Sequence, residues 1–357
     1  MRRLFFIVLL LVCWANGSAK TSVWEQVVLY PSLDQFGDTL TLSGKLTVPE
    51  QPKGIILLPH WTISAADEAP SYKLTAEAKD FVEDYVLVMP DYIGYGVTSN
   101  RMHPYLHGEL TARNTVDMLL YCQPILDSMA LGIPTDSIFL LGYSQGGATA
   151  LWTLKLLEEE YAERIHVKKC FVGGSPIDVA STYDEAVLHN DASVPPEVPL
   201  LLLGTSESYG LNLKAEEFLT PAMIKAYNKY MVPEKKSILE LYFLMPNHKL
   251  TYWMTPQGMD KTQPETKRFY EALLRSSLVH YDIDGSDTNT ICPEWRPKTP
   301  LYVFQSKNDN LVPYLNAVHL RRCFGDLPNI TWDFDKYGNH MKARFVFVPK
   351  VKVRIEN

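Results

Sequence analysis

Leu140-Leu141-Gly142-Tyr143-Ser144-Gln145-Gly146-Gly147 decides how this chain is read. The apolar run Ile138 to Leu141 enters it directly, and a helix-forming run, Ala148 to Glu160, leaves it without a spacer. That order predicts strand, tight turn and helix. A serine at the tip of such a turn sits in a strained backbone conformation. Its hydroxyl clears the sheet, and the N–H of the following residue faces the same space. Glycines two places before and after are needed because strand and helix run close together there. Ser144 is therefore the candidate nucleophile, the one serine so flanked at the end of a strand.

Working outward, short continuous apolar runs predict strands buried on both faces: Gly54 to Pro59, Tyr85 to Pro90, Ile138 to Leu141, Cys170 to Gly173 and Leu301 to Gln305. Helical stretches, Lys73 to Asp84, Leu110 to Met129 and Leu151 to Arg164, separate several of them. Strands alternating with helices call for a mostly parallel sheet with right-handed crossovers. Val23 to Tyr30 and Thr39 to Val48 alternate apolar and polar residues around Asp34-Gln35-Phe36-Gly37-Asp38, which predicts an antiparallel hairpin at the sheet edge. The fold class is α/β, in the layout of the α/β-hydrolase fold. From Gly174 to Pro300 the chain is far longer than a crossover needs. It holds helical material, Leu219 to Tyr230 and Thr266 to Val279, and turn-rich joints such as Asp191 to Pro199. The expected division is a core of residues 20–174 and 300–357, with residues 175–299 as a helical lid over the catalytic face.

Residues 1–19 read as a secretory signal: Arg2 and Arg3, an apolar run from Leu4 to Val12, then Gly17-Ser18-Ala19 as a small-residue cleavage site. The run is short of the ~20 residues a spanning helix needs, so stable membrane insertion after cleavage is not expected. Val12 stands where a small residue would precede a lipidated Cys13, so lipoprotein anchoring is not expected either. A net charge of −7 with no basic cluster disfavours nucleic acid as a partner. Export permits disulfides. Of Cys122, Cys170, Cys292 and Cys323, the pair Cys292 with Cys323 is the first candidate, because the other two lie in segments that read as core; unpaired buried thiols are the equal alternative.

A serine nucleophile needs a base, and the base needs an acid that fixes its tautomer and stabilises its charged form. In this layout the acid follows a late strand and the histidine the last one. Asp309 lies in the loop after Leu301 to Gln305, and His340 in the segment after the β-rich run Ile330 to Phe334. Asp333 and Asp335, within a strand there, read as solvent-facing. The oxyanion site needs two backbone N–H groups. One belongs to Gln145; the other falls in His60-Trp61-Thr62, with Thr62 the first choice and Trp61 the next. His60 does not fit the chain order of a base. Asp91-Tyr92-Ile93-Gly94-Tyr95-Gly96 reads as a tight turn near the site. His103 and His107 lie four apart without a third ligand, and Asp282-Ile283-Asp284-Gly285-Ser286-Asp287 reads as a turn rather than a calcium loop.

These segments resemble the α/β-hydrolase serine esterases, and more narrowly the fungal-type secretory lipases of the lipase-A-like group. The matching stretches are Asp67-Glu68-Ala69-Pro70-Ser71-Tyr72, Gly142-Tyr143-Ser144-Gln145-Gly146-Gly147-Ala148, Gly173-Gly174-Ser175-Pro176, and Asn308-Asp309-Asn310-Leu311-Val312-Pro313-Tyr314 with His340. The resemblance implies a triad of Ser144, Asp309 and His340, Thr62 as oxyanion donor, and a lid that shapes the acyl pocket. It implies a small-molecule or lipid ester as substrate and no cofactor. Glu68 stands where those lipases carry a cysteine, so one of their disulfides is not expected. The aromatic and methionine residues of Leu239 to Met259 read as core packing or as an acyl channel. A serine peptidase of the same fold, cleaving amides near a peptide terminus, and a binding protein on a hydrolase scaffold are the rival readings. The oligomeric state is not read from the sequence.

Overall fold

The computed structural model describes residues 22–356, apart from 134–136 and 233–235. The expected signal segment, residues 1–19, lies outside the described residues.

Eight strands form one sheet: β1 Val23–Leu33, β2 Thr39–Pro49, β3 Ile55–Leu57, β4 Val86–Pro90, β5 Ile138–Tyr143, β6 Val167–Gly173, β7 Leu301–Ser306 and β8 Ile330–Asp335. Their spatial order is β1-β2-β4-β3-β5-β6-β7-β8. β2 pairs antiparallel with both β1 and β4, and every other pair is parallel, so β2 alone runs against the rest. β5 lies inside the sheet between β3 and β6. This is the α/β-hydrolase fold.

The unbroken apolar runs have a direct cause. Neighbouring residues of each central strand point to opposite faces, and both faces are covered. Leu57, Val88, Leu140, Val172 and Val303 pack with helices α1 (Gly108–Ser128) and α2 (Gln145–Glu160). Ile56, Leu87, Leu141, Phe171 and Phe304 pack with Phe81 and with Phe347 and Val351 of the C-terminal helix.

The interval between β6 and β7 holds helices α3 Val179–His189, α4 Glu197–Ser208, α5 Ala215–Phe218, α6 Pro221–Ala226, α7 Ile238–Leu244, α8 Leu250–Trp253, α9 Pro256–Met259 and α10 Pro264–Ser276. They enclose a core of their own, built on Tyr183, Leu202, Phe218, Met223, Trp253 and Phe269. The buried residues Thr266, Phe269, Tyr270, Leu273 and Ser276 of α10 recur at helical spacing, one buried stripe whose apolar members, Phe269, Tyr270 and Leu273, join that core. The segment leaves and returns at one place, where Leu278 N–H donates to the Ile177 carbonyl at 2.8 Å. After β7, α11 (Leu315–Phe324) and β8 lead to α12 (His340–Glu356). A Cys292–Cys323 disulfide ties the returning segment to α11. Cys122 and Cys170 are free and buried, and burial pushes the Cys122 thiol up to about 12.

Four expectations need correction. Lys73 to Asp84 is turns with a single 3₁₀ turn, Ala78–Asp80, not a helix. Its apolar residues are used locally, Ala78 and Phe81 inserting beneath the sheet while Thr75 Oγ1 accepts the Ala78 N–H. Leu219 to Tyr230 splits into α6 and a π-helical turn, Tyr227–Met231. The joint Asp191 to Pro199 is turn-like only at its start, since α4 begins at Glu197. Pro199 is tolerated there because a first-turn residue lacks an intrahelical acceptor for its N–H. Asp333 is not solvent-facing: it accepts from Tyr302 and Tyr337 hydroxyls and pairs with Lys350 at 2.7 Å.

Candidate active site

Ser144 stands between β5 and α2 with φ +58° and ψ −128°, a left-handed conformation costly for a residue with a Cβ. Its own N–H donates to Gly173 O at 2.9 Å on β6, and its carbonyl accepts from Gly147 N–H at 2.9 Å. The turn is possible because its neighbours lack side chains. A Cβ on Gly142 would lie 2.1 Å from Gly146 O, and one on Gly146 would lie 2.2 Å from Pro59 O.

His340 opens α12, and its Nδ1 lies 2.8 Å from Asp309 Oδ2. The carboxylate can only accept, so Nδ1 carries the proton and Nε2 is left as the base. Asp309 is fixed from behind: Leu311 and Val312 N–H groups donate to Oδ1 at 3.0 and 2.9 Å, and Gln305 Nε2 donates to Oδ2 at 3.2 Å. The histidine backbone is fixed too. Its N–H donates to Asn310 Oδ1 at 3.2 Å, and its carbonyl accepts from the Tyr143 hydroxyl at 2.7 Å. The Tyr143 and His340 rings are 5.0 Å apart, so the residue before Ser144 holds the imidazole beside the turn. Ser144 Oγ and His340 are not hydrogen-bonded in this structure; catalytic contacts of this kind commonly close only with substrate.

Gln145 occupies the first position of α2, where the N–H has no intrahelical acceptor. Its side chain points elsewhere, meeting His103 Nε2 at 2.7 Å. His103 Nδ1 donates to Ile93 O at 2.7 Å, so Nε2 accepts from the Gln145 amide. Burial holds His103 neutral by lowering it to about 3.

The loop after β3 packs on this first turn through the Pro59 and His60 carbonyls, which approach Gly146. Within it, the Tyr92 hydroxyl donates to His60 O and the Tyr95 hydroxyl to Ile63 O at 2.6 Å, while Thr62 Oγ1 and the Tyr105 hydroxyl share a 2.8 Å hydrogen bond. The His60 ring is buried, with Nε2 3.1 Å from Asp91 O, where it braces the loop. Tyr92 and Tyr95 are thus loop supports. Glu68 has a role the sequence did not suggest. Its Oε2 accepts the Ser64, Ala65 and Ile238 N–H groups at 3.1, 3.1 and 3.2 Å, joining this loop to α7.

A cavity of about 290 Å³ opens over Ser144, with Asp309 in its wall. Its remaining wall is mainly apolar and comes largely from the segment between β6 and β7, including Val179, Tyr183, Leu202, Leu250, Met254 and Phe269. The residues Leu239 to Met259 therefore divide three ways. Leu250 and Met254 line the cavity, Met245 and Trp253 pack in the helical core, and Tyr242, Phe243 and Tyr252 are exposed. Asp282 and Asp284 serve their own loop, accepting the Asn289 and Ser286 N–H groups. His107 caps α1.

No family model matches the chain. A secreted triacylglycerol lipase of Malassezia restricta is 22% identical over 264 residues, 73% of this chain and 50% of the relative, so the chain spans half the length of that lipase. Among solved structures, the rice cell wall degrading esterase LipA of Xanthomonas oryzae aligns with TM-score 0.75 and 21% identity, covering 96% of this chain and 91% of that one. The closed state of Candida antarctica lipase A aligns with TM-score 0.68 and 16% identity, covering 93% and 77%. The chain thus shares its α/β-hydrolase fold with lipase-A-like hydrolases. Among the described residues, no helix is long and apolar enough to cross a membrane.

Proposed function

We propose that this protein is a secreted serine hydrolase that cleaves carboxylic esters through an acyl-enzyme on Ser144. The observation that carries the reading is the Asp309–His340 pair, held by Tyr143 against a strained serine turn that opens into a mainly apolar cavity. His340 Nε2 takes the Ser144 proton as Oγ attacks the ester carbonyl. The tetrahedral oxyanion is held by the N–H groups of Gln145 and Thr62. His340 then returns the proton to the departing alcohol, and water repeats the sequence to release the acid. Asp309 orients the imidazole and stabilises its charged form. The chemistry uses no cofactor.

In this reading residues 1–19 direct export, residues 20–174 and 300–357 form the catalytic core, and residues 175–299 form the lid that supplies the acyl pocket. The names of the relatives, a secreted triacylglycerol lipase and an esterase, support ester cleavage and export. Ser144→Ala is expected to lower kcat on a short-chain nitrophenyl ester by roughly 10⁶-fold and to abolish fluorophosphonate labelling. Near-normal hydrolysis by a folded Ser144→Ala protein would refute the assignment.

A further inference from the structure

The cavity over Ser144 has four carboxylates in its wall, Glu185, Asp191, Glu197 and Asp309, and neither lysine nor arginine among the described residues that line it. Three are engaged by the protein. Asp309 pairs with His340, Glu185 lies 3.3 Å from His189 Nε2, and Asp191 accepts the Ser193 hydroxyl at 2.6 Å. Glu197 is different. Among the described residues its carboxylate has no ion pair and no hydrogen bond, and although it opens α4 no first-turn N–H donates to it. Burial pushes its pKa up to about 7; the nearby His340 pulls it down and Asp309 pushes it up. A half-buried carboxylate left without a counter-charge costs the fold free energy, and such groups persist where a ligand completes them.

We propose that Glu197 is a specificity-determining residue, whose carboxylate pairs with an ammonium group carried by the substrate while the scissile carbonyl sits at Ser144. A quaternary or primary ammonium supplies the missing counter-charge inside a mainly apolar cavity, and among the described residues neither lysine nor arginine lines it to compete for Glu197. The preferred esters therefore carry a positive nitrogen in either the acyl or the alcohol part. An uncharged ester of the same shape leaves Glu197 unpaired, and an anionic one meets four carboxylates. This rests on the ester-hydrolase reading above and names its substrate class.

The test uses matched pairs in the full-length protein, followed by pH-stat titration. For the alcohol part the pair is a choline ester and its 3,3-dimethylbutyl isostere. For the acyl part it is a trimethylammonium-butanoyl ester and its uncharged tert-butyl analogue. The wild type is expected to favour the charged member of one pair by about 10-fold or more in kcat/KM, and the pair that shows it locates the ammonium. Glu197→Gln should bring that ratio close to one, and Glu197→Asp should keep part of it. A ratio at or below one in both pairs, or a ratio unchanged in Glu197→Gln, would overturn the role of Glu197 and leave ester hydrolysis standing. Hydrolysis of neither member of any pair, by wild type with a normal melting curve, would overturn both readings.

Discussion

Replacing Asp178 by alanine is expected to destabilise the fold by about 3–5 kcal/mol, the cost of leaving buried partners of a charge uncompensated. Asp178 is fully buried at the N-cap of α3. Its Oδ1 accepts from Ser181 N–H at 2.9 Å and from His280 Nδ1 at 2.8 Å, and its Oδ2 from the Ser181 hydroxyl at 2.7 Å and His319 Nδ1 at 2.6 Å. These donors come from three parts of the chain: α3, the returning segment after α10, and α11. Each orphaned donor costs about 1–3 kcal/mol, and because they share one acceptor the losses do not add fully. For a chain of this size that is a melting point lowered by roughly 5–15 °C.

The pH dependence carries the sign. Burial raises the Asp178 carboxyl, but the bonds from His280 and His319 outweigh it and the net shift is downward. That stabilisation is present above the unfolded carboxyl value of about 3.9 and is lost as pH falls through the lower folded one. Burial lowers His280, but Asp178, and behind it Asp282 at 3.4 Å, outweigh it and the net shift is upward. That stabilisation is complete below the unfolded imidazole value of about 6.5 and is lost as pH rises through the higher folded one. The gap between wild type and Asp178→Asn in guanidinium denaturation should therefore be widest from about pH 4 to 6.5 and narrow on both sides. A midpoint for Asp178→Ala within 1 kcal/mol of wild type at unchanged m-value would refute the reasoning.

Asp309→Asn should leave the fold intact and lower kcat by about 10⁴-fold, read on a nitrophenyl ester, because the imidazole then loses the acceptor that sets its tautomer. Gly146→Ala places a Cβ 2.2 Å from Pro59 O; the displaced loop should cost about 1–3 kcal/mol and about 10²–10³-fold in kcat, seen as a kcat loss larger than any KM change. Glu68→Ala removes one acceptor from three N–H groups and should cost about 1–3 kcal/mol in denaturation, with faster amide exchange at Ile238. Removing the Cys292–Cys323 bond, which closes a separation of 31 residues, should cost about 3–4 kcal/mol on the loop-entropy relation, measured as the shift in denaturation midpoint of the double alanine variant.

The strands and the three residues read as nucleophile, acid and base were legible because local rules place them. Buried parallel strands need unbroken apolar runs, and Ser144 and Asp309 each follow the end of such a strand, while His340 follows the alternating edge strand β8. The glycines around Ser144 announce a close approach that only a sharp turn requires. Lys73 to Asp84 misled because helix propensity is a weak preference, overridden when Phe81 and Ala78 find better burial under the sheet. Asp333 misled because alternation along a strand says nothing of tyrosines arriving from β7 and the loop before α12.

The amino-acid order by itself determined the succession of strands and most helices, the turn that strains Ser144, the loop that holds Asp309 and the place of His340 after the last strand, since backbone sterics and burial act over a few residues at a time. Tertiary structure alone decided what those residues lean on. Tyr143 under His340, His103 beside Gln145, and His280 and His319 on Asp178 join positions 42 to 197 apart in the chain. It alone decided that Glu197 faces the cavity without a partner among the described residues. Whether a carboxylate is solvated, paired or left waiting depends on which distant segments enclose it, and that is settled only when the helices between β6 and β7 close over the sheet.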